Sequence, residues 1–183
     1  MKLTRTMMIA MTAFAVAAFA EEISPKAQSE AFAKEASEAF KEKRFDDAFA
    51  AYEKAWNVEG LSPAMVDKFQ GEAQWNFTMK SGSPDAGHKM CDAIIASPKA
   101  APGRMAGAMG WKSKKAREGK KFAEAREWQA KIREVKGRKP EEIAGSFAFD
   151  AETFVEEGEI DIDGNGEQDT GIEVNKYRIS ITA

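Results

Sequence analysis

The chain has 183 residues, of which 43% are apolar and 31% charged, and its net charge is -3. This length and apolar content are enough for one domain with a substantial core. The chain has one cysteine, Cys91, which excludes an intramolecular disulfide, and one histidine, His88. These two residues alone offer too few ligands for a zinc site and too little machinery for nucleophilic catalysis, so no enzyme is predicted.

Residues 1–20 have the pattern of a secretory signal peptide. Lys2 and Arg5 precede an apolar run that ends in small residues before Glu21, which places the cleavage site after Ala20. The run is too short to span a bilayer, and no later stretch is apolar for long enough. We therefore expect a periplasmic or secreted protein with no integral membrane segment after cleavage.

Residues 21–139 are predicted to form three antiparallel helical hairpins. The stretches KRFDDAFAAYEKAW and KKFAEAREWQAKI align Phe45 with Phe122, and Pro84 lies at the matching position between them. Clusters of glycine, serine and proline separate the helical stretches, because they cannot continue a helix. The predicted pairs are 27–41 with 46–57, 63–79 with 84–96, and 102–118 with 122–136.

The first hairpin resembles a tetratricopeptide repeat. That family packs small residues of its two helices together and fills the groove with aromatic residues and a further alanine, and the matching residues here are Ala36, Ala48, Phe45, Tyr52 and Ala55. The resemblance implies a mainly α fold, a tetratricopeptide-like α-solenoid of about three helical hairpins. It also implies a concave surface, lined by the first helix of each hairpin, that binds a protein or peptide partner.

The other two hairpins match the repeat less completely. In the third, Ser113 and Ala125 are the small pair, but Gln129 occupies a position where the family has an aromatic residue. In the second, Trp75 and Gly87 occupy the small positions. Tryptophans at helical spacing in a repeat protein are usually core residues, so all four tryptophans are expected to be buried.

Five polar or basic residues of the predicted first helices are candidates for contact with the partner. They are Asn76, Lys80, Lys112, Lys115 and Arg117. Each is equally compatible with an ordinary solvent-exposed position, because most polar residues of a helical surface have no partner.

Two adjacent segments carry opposite charge. Residues 99–139 contain fourteen Lys or Arg and four Glu, a net charge of +10, whereas residues 141–183 contain two Lys or Arg and twelve Asp or Glu, a net charge of -10. We expect these segments to attract each other within the monomer. The basic segment is not predicted to bind nucleic acid, because the chain has an export signal and no interleaved reading motif.

Residues 140–183 are predicted to form a small acidic β-rich segment that starts at Lys139-Pro140. The final residues alternate in polarity and contain β-branched side chains, as strands do. Phe147, Phe149, Phe154 and Val155 are expected to form further strands or to pack onto the last helix, since a single hairpin is marginal in water.

The stretch EIDIDGNGEQDTGIEV, residues 159–174, is similar to the calcium loops found between strands of extracellular bacterial domains. Oxygen ligands recur at the spacing that calcium needs: the side chains of Asp161, Asp163, Asn165 and Asp169, with the backbone carbonyl of Glu167. It resembles an EF-hand only in its first half. The alternative is an acidic β-hairpin in which Asn165 and Gly166 make a two-residue turn.

Two functions therefore stay open from the sequence. The first is an exported, non-catalytic helical-repeat adaptor for protein-protein interaction, with residues 140–183 as an appendage. The alternative is a calcium-dependent cell-surface or adhesion module, in which the C-terminal loop is functional and the repeats are a spacer.

Overall fold

The computed structural model describes residues 23–157, 172–175 and 178–181, and this part of the chain is mainly helical. The predicted signal peptide and the predicted calcium loop lie outside the described residues. The helices are α1 (Pro25–Lys41), α2 (Phe45–Asn57), α3 (Pro63–Trp75), a π-helical turn (Asn76–Lys80), α4 (Pro84–Ala96), α5 (Pro102–Glu118), α6 (Phe122–Glu134) and α7 (Pro140–Glu157). None of them is both long and apolar enough to cross a bilayer.

The first six helices form three consecutive hairpins at the predicted positions. Three residues separate the helices of each hairpin, and five residues lead to the next hairpin. Proline occupies the first turn of α1, α3 and α5, where its missing N–H and fixed φ suit a helix start. Ser24 and Ser62 cap α1 and α3 by accepting a backbone N–H. The prediction of three helical hairpins is therefore confirmed.

A one-residue insertion in the second hairpin is absorbed by the π turn. The first helices start at Pro25, Pro63, Pro102 and Pro140, so the spacings are 38, 39 and 38 residues. Within the longer spacing, the N–H of Ser81 bonds the carbonyl of Asn76, five residues earlier, at 3.0 Å. A π turn holds one more residue than an α turn, and such turns are frequent at functional sites.

The turns of the first and third hairpins share one backbone conformation. Lys43 and Lys120 have positive φ angles of 59° and 56°, in the left-handed region where non-glycine residues are uncommon. The following residue donates its N–H to a carbonyl five residues earlier in both turns: Arg44 to Ala39, and Lys121 to Ala116. The sequence similarity of these two segments thus corresponds to a structural repeat.

Small side chains bring the two helices of the first and third hairpins together. Ala36 and Ala48 are fully buried in the core of the first hairpin. In the third hairpin the Ser113 hydroxyl donates to the carbonyl of Ala125 at 2.8 Å, and Gln129 donates to Ser113 at 3.0 Å. Gln129 therefore replaces an aromatic residue by completing a buried hydrogen-bond chain, which a residue pattern alone does not show.

Residues 140–157 form helix α7, so the expectation that they contribute strands is wrong, whereas the alternative, packing onto the last helix of the third hairpin, agrees with the contact between α6 and α7. Pro140 and two glutamates give the segment a favourable helix start. The helix turns a small, polar face toward α6: the Ser146 hydroxyl donates to the carbonyl of Gln129, and Thr153 is fully buried. Aromatic preference for strands reflects packing opportunity, and here helix α6 supplies the packing partner instead.

Two short strands lie beyond α7. β1 (Ile172–Asn175) and β2 (Arg178–Ile181) pair antiparallel, with Ile172 opposite Ile181. A larger β-rich appendage stays a prediction, since residues 158–171 lie outside the described part of the chain. Helix α7 occupies the place of a first helix of a further hairpin. It starts one repeat length after α5 and packs on α6, as α3 packs on α2 and α5 packs on α4.

Replacement of Ala48 by leucine should overpack the first hairpin. Ala48 is fully buried, so three added carbons must displace neighbours, and we expect Ala48→Leu to lower the free energy of unfolding by roughly 1 to 3 kcal/mol. Urea unfolding followed by circular dichroism measures the change. Ala50→Leu is the control, because Ala50 lies on the same helix and is exposed. Equal stability of the two variants would mean that the α1/α2 packing is not as described.

Candidate functional site

The first helices of successive hairpins lie side by side, and an arginine closes the gap between α3 and α5. Arg104 of α5 donates to both carboxylate oxygens of Asp67, at 3.0 and 3.3 Å. Its guanidinium lies over Gly71, where a Cβ would come within 2.6 Å of it. Glycine at this position therefore lets the arginine cross between the two helices.

A second arginine of α5 closes the gap to α7. Arg117 binds Glu152 at 3.0 Å and Glu156 at 2.5 Å, and its guanidinium lies 5.0 Å from the ring centre of Phe149. Burial opposes the charged form, but the hydrogen bonds to Glu156 and Glu152 outweigh it and raise the pKa of Arg117. The predicted attraction between the basic and acidic segments is thus confirmed for the part of the acidic segment in α7.

Between α1 and α3 the corresponding gap is open. We call it the basic cleft, a cavity of about 320 Å³ lined by Ser37, Phe40, Lys41, Lys43, Phe45, Asn76, Lys80 and Ser81. One wall is the end of α1 and its turn, and the other is the π turn. The inserted residue of the second hairpin therefore shapes one wall of this cavity.

Three lysines surround the basic cleft without a carboxylate. Within the described part of the chain, no ion pair or side-chain hydrogen bond engages Lys41, Lys43 or Lys80. Most other lysines and arginines of the described helices have a carboxylate within 4 Å. Unpaired cations around a concave site attract anionic groups, since their fields add inside the cleft.

The floor of the basic cleft is aromatic and rigid. Phe77 of the π turn is buried, and its ring centre lies 5.4 Å from that of Phe40 and 6.2 Å from that of Phe45. Asn76 donates to the hydroxyl of Tyr52 at 2.7 Å, which fixes the π turn to α2. Burial raises the pKa of Tyr52 to about 12, and the charge of Glu72 adds to this shift, so the hydroxyl stays protonated.

The surface of α3 and the π turn exposes two large apolar side chains, each one residue before a residue that lines the basic cleft. Trp75 is 56% exposed and Met79 is 61% exposed. The expectation that all four tryptophans are core residues is correct for Trp56, and Trp111 and Trp128 are partly buried against the core. It is wrong for Trp75, which lies on the surface. The space over Gly87 is filled instead by Trp111 of α5, whose ring a Cβ at Gly87 would approach to 2.6 Å.

The five residues predicted to contact a partner separate into two groups. Asn76 and Lys80 meet in the wall of the basic cleft. The other three are engaged by neighbouring side chains of α4, the third hairpin and α7. Lys112 is buried against Asp92 of α4 and the Trp128 ring, Lys115 pairs with Glu118 at 2.6 Å, and Arg117 binds α7. The structure thus brings together only part of the predicted set.

Lys41 and Lys43 are cleft residues that the sequence reasoning missed. Their positions were hidden because Lys41 ends the predicted first helix and Lys43 belongs to the turn that follows it, and lysines at such places are ordinarily solvated. A signal was present in the spacing of 39 residues, against 38 elsewhere, which marks the insertion beside Asn76 and Lys80. Insertions in a repeat commonly alter one face of the stack.

A second cavity, of about 280 Å³, lies between α5 and α7. Gly103, Gly107 and Gly145 line it, with Arg138 and Glu142 at one side. Glu142 already lies 3.4 Å from Arg138 and accepts the N–H of Lys139. Arg138, the cation of this second cavity, is therefore paired with the carboxylate of Glu142, whereas the lysines of the basic cleft have no such partner.

The two residues considered for catalysis have separate surroundings. Cys91 is fully buried, and burial raises the pKa of its thiol to about 12, although Lys112 opposes the shift. The His88 ring packs edge-on against Trp111, with ring centres 4.9 Å apart. Among the described residues, no cluster of three or more His, Cys, Asp or Glu could hold a metal. The predicted calcium ligands, residues 161–169, lie outside the described residues.

Comparisons with known proteins do not add to this geometry. No protein-family model matches the chain, and the searches of curated proteins and of solved structures found no match either. Function is therefore argued from the basic cleft and the surface beside it.

Replacement of Arg117 by glutamine should loosen α7. The variant loses two partly exposed ion pairs and one contact with Phe149, so we expect a loss of about 1 to 2 kcal/mol at low salt. The loss should shrink in molar salt, which screens exposed charges within about 3 Å. Urea unfolding at both salt concentrations measures it. Lys114→Gln, an exposed lysine of the same helix, should change stability little, and equal effects of the two variants would exclude a specific role for Arg117.

Proposed function

We propose that the protein is an exported, non-catalytic helical-repeat adaptor that binds a protein or peptide segment on its first-helix surface. The observation that carries the proposal is the exposed Trp75 at the end of α3, one residue before Asn76 of the open basic cleft. Tryptophan is enriched at binding hot spots because it buries a large area at low cost in side-chain entropy. Exposed apolar groups next to a cavity are typical of interaction sites.

The hairpin geometry supports a tetratricopeptide-like stack. Helix pairs with three-residue turns succeed each other through five-residue connections, and each second helix packs on the first helix of the next pair. The buried small pairs, Ala36 with Ala48 and Ser113 with Ala125, lie at positions where that family packs its helices. In such stacks the aligned first helices form a shared concave surface, which suits an extended or helical peptide.

The surroundings of the thiol support a non-catalytic role. A thiol with a raised pKa is protonated at neutral pH, and a fully buried sulfur is out of reach of a substrate. Cys91 therefore acts as a core residue of the second hairpin. An adaptor needs a surface of suitable shape and charge for its partner, and it needs no reactive group.

A random peptide library displayed on phage tests the adaptor proposal. The mature chain, immobilised through one terminus, should select a defined group of peptides, and Trp75→Ala should weaken their binding by roughly tenfold or more, as for a central hot spot. Binding of the synthesised peptides is measured by calorimetry.

The control for this experiment is Phe147→Ala. Phe147 is also a half-exposed aromatic residue, but it lies on α7. Its removal should leave peptide affinity unchanged. If no peptide is selected, or if both variants bind as well as the wild type, the adaptor proposal is wrong.

The second candidate function is calcium-dependent surface binding through residues 161–169. The spacing of Asp161, Asp163, Asn165 and Asp169 favours it, because four oxygen side chains around two glycines exceed what a turn requires. The Glu167 carbonyl would complete the set of protein ligands. In this case the helical stack would serve as a spacer.

Calorimetric titration of the mature chain with calcium tests this candidate. We expect one ion to bind with a Kd on the order of 10⁻⁴ to 10⁻³ M, as in other extracellular modules. Asp163→Ala should abolish the heat and leave the helical circular dichroism signal unchanged. Glu59→Ala, which removes an exposed acid between α2 and α3, is the control. Absence of heat for the wild-type chain would reduce the stretch to an acidic turn.

A further inference from the structure

We propose that the basic cleft binds the acidic side chains of the partner peptide, with one apolar side chain of that peptide over Phe40 and Phe45. This inference rests on the adaptor proposal and specifies which kinds of side chain the partner peptide carries. The cleft offers three ammonium groups above an aromatic floor, and a ligand that satisfies both must carry carboxylates and an apolar group together. A peptide that alternates acidic and apolar residues has this chemistry.

The gap between α5 and α7 corresponds to the gap between α1 and α3, and carboxylates occupy it. Between α5 and α7, which are spaced and ordered like α1 and α3, Arg117 binds the carboxylates of Glu152 and Glu156. These two glutamates come from the last two turns of α7. In the last turns of α3 and the π turn, the exposed residues are Glu72, Trp75, Met79 and Lys80, and the carboxylate of Glu72 accepts a hydrogen bond from the Tyr52 hydroxyl at 3.4 Å. The residues that line the basic cleft include three lysines but no carboxylate.

The π turn makes this difference possible. Its extra residue lets Asn76 and Phe77 both turn inward, where Asn76 bonds Tyr52 and Phe77 packs under Phe40. Lys80 is left exposed at the rim of the cleft. The cleft is thus preformed, which lowers the entropy lost when a peptide binds.

A peptide fits the cleft better than a free inorganic anion does. Phosphate would meet the lysines but leave the rings of Phe40 and Phe45 and the exposed Trp75 unused. The cavity of about 320 Å³ is in the size range of small-ligand pockets, which admits one or two side chains and excludes a folded surface. Trp75 and Met79, which precede the cleft residues Asn76 and Lys80 in the chain, offer further exposed apolar surface to such a peptide.

Two charge-matched triple variants test the inference. The cleft variant is Lys41→Gln, Lys43→Gly and Lys80→Gln, and the control variant is Lys114→Gln, Lys120→Gly and Lys121→Gln. Each removes three positive charges, and each places glycine at a turn residue with the same positive φ. Effects of net charge and of turn conformation are therefore equal in the two proteins, and thermal melts check that both fold.

The peptides that the wild-type chain selects from the phage library are the first readout. We expect enrichment of Glu and Asp beside Leu, Ile or Phe, and affinity that falls as salt rises. The cleft variant should bind these peptides at least about tenfold more weakly, given a loss of roughly two- to fivefold for each exposed ion pair. The control variant should keep wild-type affinity, and inorganic phosphate at 10 mM should compete only weakly for a site that also holds an apolar side chain, on the order of twofold.

Several results would overturn the inference. Selected peptides without acidic enrichment would show that the adaptor is correct but its partner chemistry is not. Equal weakening in the cleft and control variants would show a general effect of charge. Complete displacement by phosphate would identify a free-anion site. Failure to select any peptide would contradict the adaptor proposal itself, and the inference with it.

Discussion

The contact between Phe77 and the aromatic side chains of the first hairpin positions the other features of the site. Phe77 meets the rings of Phe40, Phe45, Phe49 and Tyr52, with centre-to-centre distances from 5.4 to 6.4 Å. Tilted and edge-on aromatic contacts of this kind stabilise beyond the area they bury, by about 0.5 to 1.5 kcal/mol per pair. They hold the second hairpin on the first and fix the floor of the basic cleft.

The π turn is the local feature that allows this packing. An α-helical continuation of α3 would rotate the residues after Trp75 by about 100° per residue and would change which of them face α2. The wider turn keeps both Asn76 and Phe77 inside, and hydroxyl groups stabilise it: Thr78 donates to the carbonyl of Gln74 and Ser81 to that of Phe77. The cost of an irregular turn is therefore offset by tertiary contacts.

Electrostatic contacts assemble the other end of the stack. Arg104 and Arg117 connect α5 to its neighbours, and Arg133 of α6 binds Asp150 at 2.6 Å and Ser146 at 3.0 Å. Burial raises the pKa of Asp150 even though Arg133 opposes the shift, so its charge depends on this partner. The first and second hairpins pack through aromatic rings, whereas the third hairpin is joined to α7 by arginines. This difference leaves unpaired lysines at the α1–α3 gap.

The sequence by itself determined the six hairpin helices, because proline starts, serine caps and apolar periodicity are local signals that act within a few residues. It also determined the attraction between the basic helices and the acidic segment that follows them, since net charge is a property of composition. Only the tertiary structure decided that residues 140–157 form a helix, because the arginines that donate to its polar side chains and the carbonyl that accepts from Ser146 come from α5 and α6. It likewise decided that Trp75 is exposed and that Lys41, Lys43 and Lys80 meet, since residues 37 positions apart converge only when α1 and the π turn pack on Phe77.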